Sequence, residues 1–320
     1  MAPAALDDLP IPFCSKTKAD IPTVPIFDAN TVTIPEVVHA MIHAGGAVLR
    51  GCVPRAQLDT IEADIRPWLD ADKPWDGDFF PPETRRVYGL AGKSRAFLTN
   101  VVQNRVLQGV SDAMLSDTIS AWVGRKKETS TSRPQLNNTI IFSIGPGARD
   151  QELHRDDMIH HNLPLKEISP EEYRIGRDVG IGFFVAGKKT TKRNGATRFI
   201  PGSHLWDSDI PPNDDLAFYA ELEPGDGFIL LSSCYHGGSA NRTENEERLV
   251  YSCFMAKGFL RQEENQYLAN DPQKLKEMYD METLKMIGYD TSKPFLGWVN
   301  LDTPLKVLYG DEIPGTADLY

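Results

Sequence analysis

The sequence predicts a mainly β protein of the sandwich, jelly-roll or barrel kind, with helices packed outside it. Three observations carry this. Between about residues 136 and 256 come many short apolar, β-branched runs. Turn residues separate them: Gly145-Pro146-Gly147, Asn194-Gly195, Pro201-Gly202 and Gly225-Asp226-Gly227. Before them the apolar residues recur at helical spacing instead. The 320-residue length, with 41% hydrophobic residues, suffices for a sizeable core.

Residues 1–30 read as an extended arm, because Pro3, Pro10, Pro12, Pro22 and Pro25 deny it a helix. Pro35 opens a helix running through Ala44, stopped by Gly45 and Gly46. Ala47-Val48-Leu49 reads as a strand. A second helix covers about 55–70, with Leu58, Ile61, Ile65 and Leu69 on one face, and a third covers Asn104 to Trp122 through Val106, Val110, Met114 and Ile119. The β runs are 139–144, 179–185, 198–200, 228–231 and 249–255. A last helix spans about 272–287, before a tail rich in Pro and Gly. No repeat or linker divides the chain. It reads as one domain over 1–320: a helix-rich part (1–135), a β core (136–256), and a C-terminal helix and tail (257–320).

Composition narrows the function classes. A net charge of −11 argues against a nucleic-acid surface, which needs clustered cations. No apolar stretch is long enough to span a bilayer. Cys14, Cys52, Cys234 and Cys253 are scattered, with no C-x-x-C pair, so neither a zinc ribbon nor a disulfide scaffold is indicated. The first twenty residues lack a basic start followed by an apolar block, and a cytosolic setting is expected.

The informative segment is Gln151-Glu152-Leu153-His154-Arg155-Asp156. Residues two apart on an extended strand face the same way, so His154 and Asp156 can offer a nitrogen and an oxygen to one ion. Alone, His-x-Asp is a common tripeptide. His236 follows a predicted strand and precedes Gly237-Gly238, and a folded β core can bring it beside that motif. Two histidines and a carboxylate with positions left open form the ligand set of non-haem Fe(II) oxygenases. Arg248 stands at the start of the following strand. Its permanently charged fork matches a carboxylate such as the far end of a 2-oxo diacid, although a surface pairing with Glu244, Glu246 or Glu247 would also account for it.

Taken together, His154-x-Asp156, Asn194-Gly195-Ala196-Thr197-Arg198-Phe199-Ile200-Pro201-Gly202-Ser203-His204, Gly225-Asp226, His236-Gly237-Gly238 and Arg248 resemble the phytanoyl-CoA dioxygenase family of Fe(II)/2-oxoglutarate oxygenases. Phe79-Phe80-Pro81-Pro82-Glu83-Thr84-Arg85-Arg86 and the helical N-terminus extend the likeness over most of the chain. More narrowly, it is similar to fungal members that tailor terpenoid, meroterpenoid and alkaloid products. The resemblance implies a double-stranded β-helix with Fe(II) at one mouth, and 2-oxoglutarate and dioxygen as cosubstrates. It implies His154, Asp156 and His236 as iron ligands and Arg248 as the carboxylate anchor. Gln151, Thr197 and Asn138 are then further cosubstrate contacts. Phe79, Met158 and Phe142 are candidates for an apolar substrate wall.

The expected activity is oxidation of an unactivated C–H bond of a bulky apolar metabolite, by hydroxylation, desaturation, rearrangement or peroxide formation. A homodimer, or a dimer with a homologue, is expected from the same relatives. The tail would then cover the mouth or a second subunit. Two alternatives stay open: a non-catalytic jelly-roll partner, and a cupin-type metal enzyme independent of 2-oxoglutarate. His160-His161 reads as one residue at the mouth and one in solvent, and His204 as structural.

Overall fold

The computed structural model describes residues 13–315, so the first twelve residues of the predicted arm and Tyr320 lie outside the described residues. The N-terminal part carries β1 (Ile26–Asp28), α1 (Ile34–Ala44), β2 (Gly46–Arg50), α2 (Arg55–Ala71), β3 (Thr84–Tyr88), a short α3 (Arg95–Phe97) and α4 (Arg105–Leu115). Then follow β4 (Asp117–Val123), β5 (Lys126–Ser132), β6 (Gln135–Ile144), β7 (Gly180–Ala186), β8 (Thr197–Phe199), β9 (Phe218–Ala220), β10 (Gly227–Leu231), β11 (His236–Gly238) and β12 (Arg248–Ala256). The chain closes with α5 (Gln266–Ala269), α6 (Pro272–Met278), α7 (Met281–Ile287) and α8 (Leu305–Tyr309).

A seven-stranded sheet runs in the order β1-β2-β10-β7-β12-β6-β3, and a smaller sheet in the order β11-β8-β9. Every pairing is antiparallel except β1 with β2. All residues of β7 and β12 are buried, which is why these central strands read as nearly continuous apolar runs. One face of the large sheet is covered by helices, with α4 packed across β7 and β12 and α7 against β6. The other face looks toward the candidate site.

Local chemistry sets the element ends. Thr33 caps α1 through a reciprocal box with Glu36, and Gly45 at φ 75° ends it where a β-carbon would collide with Cys234 Sγ. Leu58, Ile61, Ile65 and Leu69 bury the inner face of α2.

Two predicted helices differ from the structure. The helix expected over Asn104 to Trp122 ends at Leu115. Residues 117–132 instead form a two-stranded hairpin turning on Gly124-Arg125, with Ile119 half exposed. Gly124 lies at φ 61°, the left-handed geometry of a two-residue hairpin loop, and Ser116 breaks the helix by going extended. The helix expected over 272–287 is two helices. Tyr279 is extended, and the Asp280 side chain accepts a hydrogen bond from Thr283 N at 2.8 Å to start the second. All four cysteines are free.

Candidate metal centre and its cavity

His236 opens β11, opposite Phe199 of β8. His154 joins the same small sheet through an antiparallel bridge: His154 N donates to His236 O at 3.0 Å, and His236 N to His154 O at 2.9 Å. The main chain itself therefore sets the two rings side by side, with centroids 4.9 Å apart. Asp156 begins the 3-10 turn Asp156–His160, directly below them.

Each ring is oriented by its own backbone. His154 Nδ1 faces Glu152 O at 2.8 Å, and His236 Nδ1 faces Cys234 O at 3.0 Å. Carbonyls accept, so both Nδ1 atoms carry the proton and both Nε2 lone pairs turn inward, the tautomer a metal ligand needs. Asp156 Oδ1 lies 3.3 Å from His154 Nε2, and Oδ2 lies 3.2 Å from His236 Nε2. The three ligand atoms fall within 4.8 Å of one another, and this is the one such triad among the described residues.

The electrostatics agree with that geometry. Burial works to raise the Asp156 pKa, but the two imidazoles outweigh it and hold the carboxyl well below its usual range. Burial works to lower the His154 pKa, and the Asp156 carboxylate wins there too, raising it. Asp156 Oδ2 is buried yet accepts no well-formed hydrogen bond. Two inward imidazole nitrogens and an under-satisfied carboxylate oxygen fit a borderline divalent cation such as Fe(II).

The triad lies in a cavity of about 160 Å³. Alternate residues of β6 (Asn138, Ile140, Phe142, Ile144) and of β12 (Arg248, Val250, Phe254) line one wall. Phe184 lies between Phe254 and His236, with ring centroids at 5.5 and 6.2 Å. Phe79 and Phe80 close the mouth, and Phe80 lies 5.7 Å from Phe142 and under the Arg86 guanidinium. Arg248 is buried at 4% exposure. Its terminal nitrogen donates to Thr197 Oγ1 at 2.8 Å, Nε has no partner, and burial pushes the pKa down to about 10. A cation held this way, without a carboxylate, has the chemistry to receive an anion.

Among the other predicted contacts, Gln151 lines the cavity but spends its Oε1 on Gly238 N at 3.2 Å. Asn138 also lines it, donating to Glu263 Oε2 at 2.6 Å while its own Oδ1 stays unpartnered. Phe79 and Phe142 are lining residues. Met158 is not; it stands half exposed on the 3-10 turn. The turn is also why strand alternation fails for His160 and His161. His160 Nε2 meets Arg261 O at 3.1 Å, His161 is exposed at φ 55°, and neither lines the cavity. His204 is fully buried, bound to Ile42 O at 2.9 Å, and burial lowers its pKa to about 4.

Glu263 is a lining residue the sequence did not signal, because nothing marks one acid within the polar run Arg261-Gln262-Glu263-Glu264. One side of it is open at the mouth. Burial of its carboxyl end, and then the nearby Asp156, push its pKa up to about 6. A larger open hollow of about 1020 Å³ lies between the hairpin, α4 and the C-terminal helices; it contains none of the triad residues.

A jelly-roll β fold that gathers two imidazoles, a carboxylate and a buried guanidinium around one aromatic cavity defines the non-haem, 2-oxoglutarate-dependent oxygenase class. Residues 42–249 match the phytanoyl-CoA dioxygenase (PhyH) family, and the chain belongs to that family. It is 39% identical to the dioxygenase himG of Aspergillus japonicus, over 91% of each chain. It is 35% identical to the dioxygenase cnsJ of Penicillium expansum, over 98% of this chain and 94% of that one. In three dimensions it is similar to SnoK, a non-heme alpha ketoglutarate dependent carbocyclase from nogalamycin biosynthesis. That match has a TM-score of 0.53 at 13% identity, and covers 75% of this chain and 91% of that one. HygX of Streptomyces hygroscopicus, solved with nickel, 2-oxoglutarate and hygromycin B, matches with a TM-score of 0.50 at 16% identity, over 72% and 90%.

Proposed function

We propose that the chain is an Fe(II)/2-oxoglutarate-dependent dioxygenase that oxidises a C–H bond of a bulky, largely apolar secondary metabolite. The observation that carries this is the meeting of the His154–Asp156–His236 triad and the unpaired Arg248 guanidinium in one aromatic-walled cavity. Bound iron, with 2-oxoglutarate and dioxygen, supplies the oxidation of an unactivated C–H bond while 2-oxoglutarate is decarboxylated to succinate.

The chain's own residues do the rest. His154, Asp156 and His236 hold the ion on one side, with ring orientation fixed by the carbonyls of Glu152 and Cys234. Arg248 binds the far carboxylate of 2-oxoglutarate, with Thr197 steadying the guanidinium, and Gln151 is a further cosubstrate contact; Asn138, expected to join them, lies six strand residues from the level of Arg248 and donates to Glu263 instead. Phe79, Phe80, Phe142 and Phe254 exclude water and fix which carbon faces the metal. We place the reaction in terpenoid or meroterpenoid tailoring, by hydroxylation, desaturation, rearrangement or peroxide formation, and in a homodimer, on the motif resemblance.

The test is succinate formation from 2-oxoglutarate with added ferrous ion in wild type, His154→Ala and Asp156→Ala. Turnover in the wild type alone supports the assignment; equal turnover in all three overturns it. Sedimentation of the full chain tests the dimer.

A further inference from the structure

The cavity carries an ionisable side chain at each end, a guanidinium at one and a carboxyl at the other. On the paired strands β6 and β12, Arg248 lies opposite Ile144, and Asn138 lies opposite Phe254. Six residues of strand separate the two levels, roughly 20 Å of backbone rise. Arg248 takes the first level. Glu263, hydrogen-bonded by Asn138 at 2.6 Å and Asn137 at 3.3 Å, takes the second. Both bonds reach Oε2.

Glu263 is held there by its neighbours as well as by its own bonds. The segment 260–265 runs along the N-terminal half of β6, which β3 leaves uncovered. Gln135 binds Leu260 O at 2.7 Å, Gln262 binds Leu136 O at 2.8 Å, and Glu263 N donates to Asn137 Oδ1 at 2.9 Å. Glu264 is fully engaged by Thr139, Gly89 and Gln266. Glu263, next to it, faces the cavity. It has no ion pair among the described residues; the carboxylates of Asp156 and Glu264 act against its charge, while it favours the protonated form of the His154 ring. Glu263 is an exposed residue at the rim of the cavity, and among the described residues no hydrogen bond reaches its Oε1. Resting on the oxygenase assignment above, we infer that Glu263 is a specificity residue, and that the substrate is an apolar scaffold bearing a protonated nitrogen. Its ammonium group would meet Glu263 Oε1 with the rings of Phe254 and Phe142 beside it, while its carbon skeleton lies over the metal side of the trough. An acidic substrate would have to turn to Arg149, which is exposed and donates to Asp78 O.

The experiment uses the full chain loaded with zinc and 2-oxoglutarate, and two probes of equal shape, 2-phenylethylamine and 2-phenylethanol. Ligand-observed NMR at neutral pH reads both affinities in wild type and Glu263→Gln. The wild type should prefer the amine by about tenfold, the effect of one hydrogen bond to a charged group. Glu263→Gln should erase that preference and leave alcohol binding within about twofold. Equal binding in wild type, no measurable amine binding, or a preference that survives Glu263→Gln overturns the inference. 2-Oxoglutarate binding is measured on the same samples. Its loss with the amine preference intact would sink the oxygenase assignment and leave the role of Glu263 standing.

Discussion

Arg248→Met separates a guanidinium kept for a ligand from one kept for the fold. Arg248 is 4% exposed, bonds only to Thr197 Oγ1 at 2.8 Å, and forms no ion pair among the described residues. Burial brings its pKa down to about 10, which corresponds to on the order of 3 kcal/mol against the charged form. Because the folded value lies below the unfolded one, the charge opposes folding of the ligand-free protein. Methionine fills a similar volume without that cost. The variant should therefore unfold in urea at equal or higher midpoint, gaining up to about 1–3 kcal/mol. Its affinity for 2-oxoglutarate, measured calorimetrically with Mn(II), should fall by about 2–5 kcal/mol, the usual effect of removing one partner of a buried charge pair. That is roughly thirtyfold to a few thousandfold. Arg248→Lys keeps the charge but loses the fork, and should fall between the two. A destabilised Arg248→Met with undiminished 2-oxoglutarate binding would refute the reasoning and make Arg248 a structural residue.

Metal affinity should weaken as pH falls through the raised His154 pKa, because proton and metal compete for Nε2; the Kd for Ni(II) across the range from pH 8 down to about 5.5 checks it. Glu247 is bound by Arg66, Lys188 and Ser143, which outweigh burial and hold its pKa at about 2. Its stabilisation is complete above the ordinary value of 4.5 and is lost as pH falls from there toward 2. Glu247→Gln should thus cost about 1–2 kcal/mol at pH 7, after discounting for solvent screening, and little near pH 2 in urea melts. Gly225 lies at φ 89°, where a β-carbon would strike Val53 O. Gly225→Ala should lose about 2 kcal/mol or more, read as a lowered thermal midpoint with the metal triad chemically unchanged.

Much of this site was legible because its residues are chemically unusual for their places. His154-x-Asp156, His236 and Arg248 each have an ordinary explanation alone, and only their order along the chain points to one ion and one anion. The aromatic wall was half legible. Phe79 and Phe142 stood near motifs, but Phe184 and Phe254 lie inside all-apolar strands where period two is invisible, since both faces are buried. Reading His160 and His161 by strand alternation fails because a 3-10 turn replaces the strand assumed after His154. The hairpin at 117–132 was hidden by Val106, Val110 and Met114, whose helical spacing seemed to run on to Ile119. The marker missed was Gly124-Arg125 between two stretches of Thr, Ser and Val. Glu263 had no local mark at all; only the pairing of a late loop with the open edge of β6 brings it to the cavity.

The bridge between His154 and His236 has a consequence for how the centre would tolerate damage. Because amide and carbonyl groups, not the rings, tie these two positions together, trimming a ring leaves the scaffold with no reason to collapse. A His154→Ala or His236→Ala protein should keep an imidazole-shaped hole at the right height. Small diffusible azoles could then dock in that hole and complete the coordination from outside.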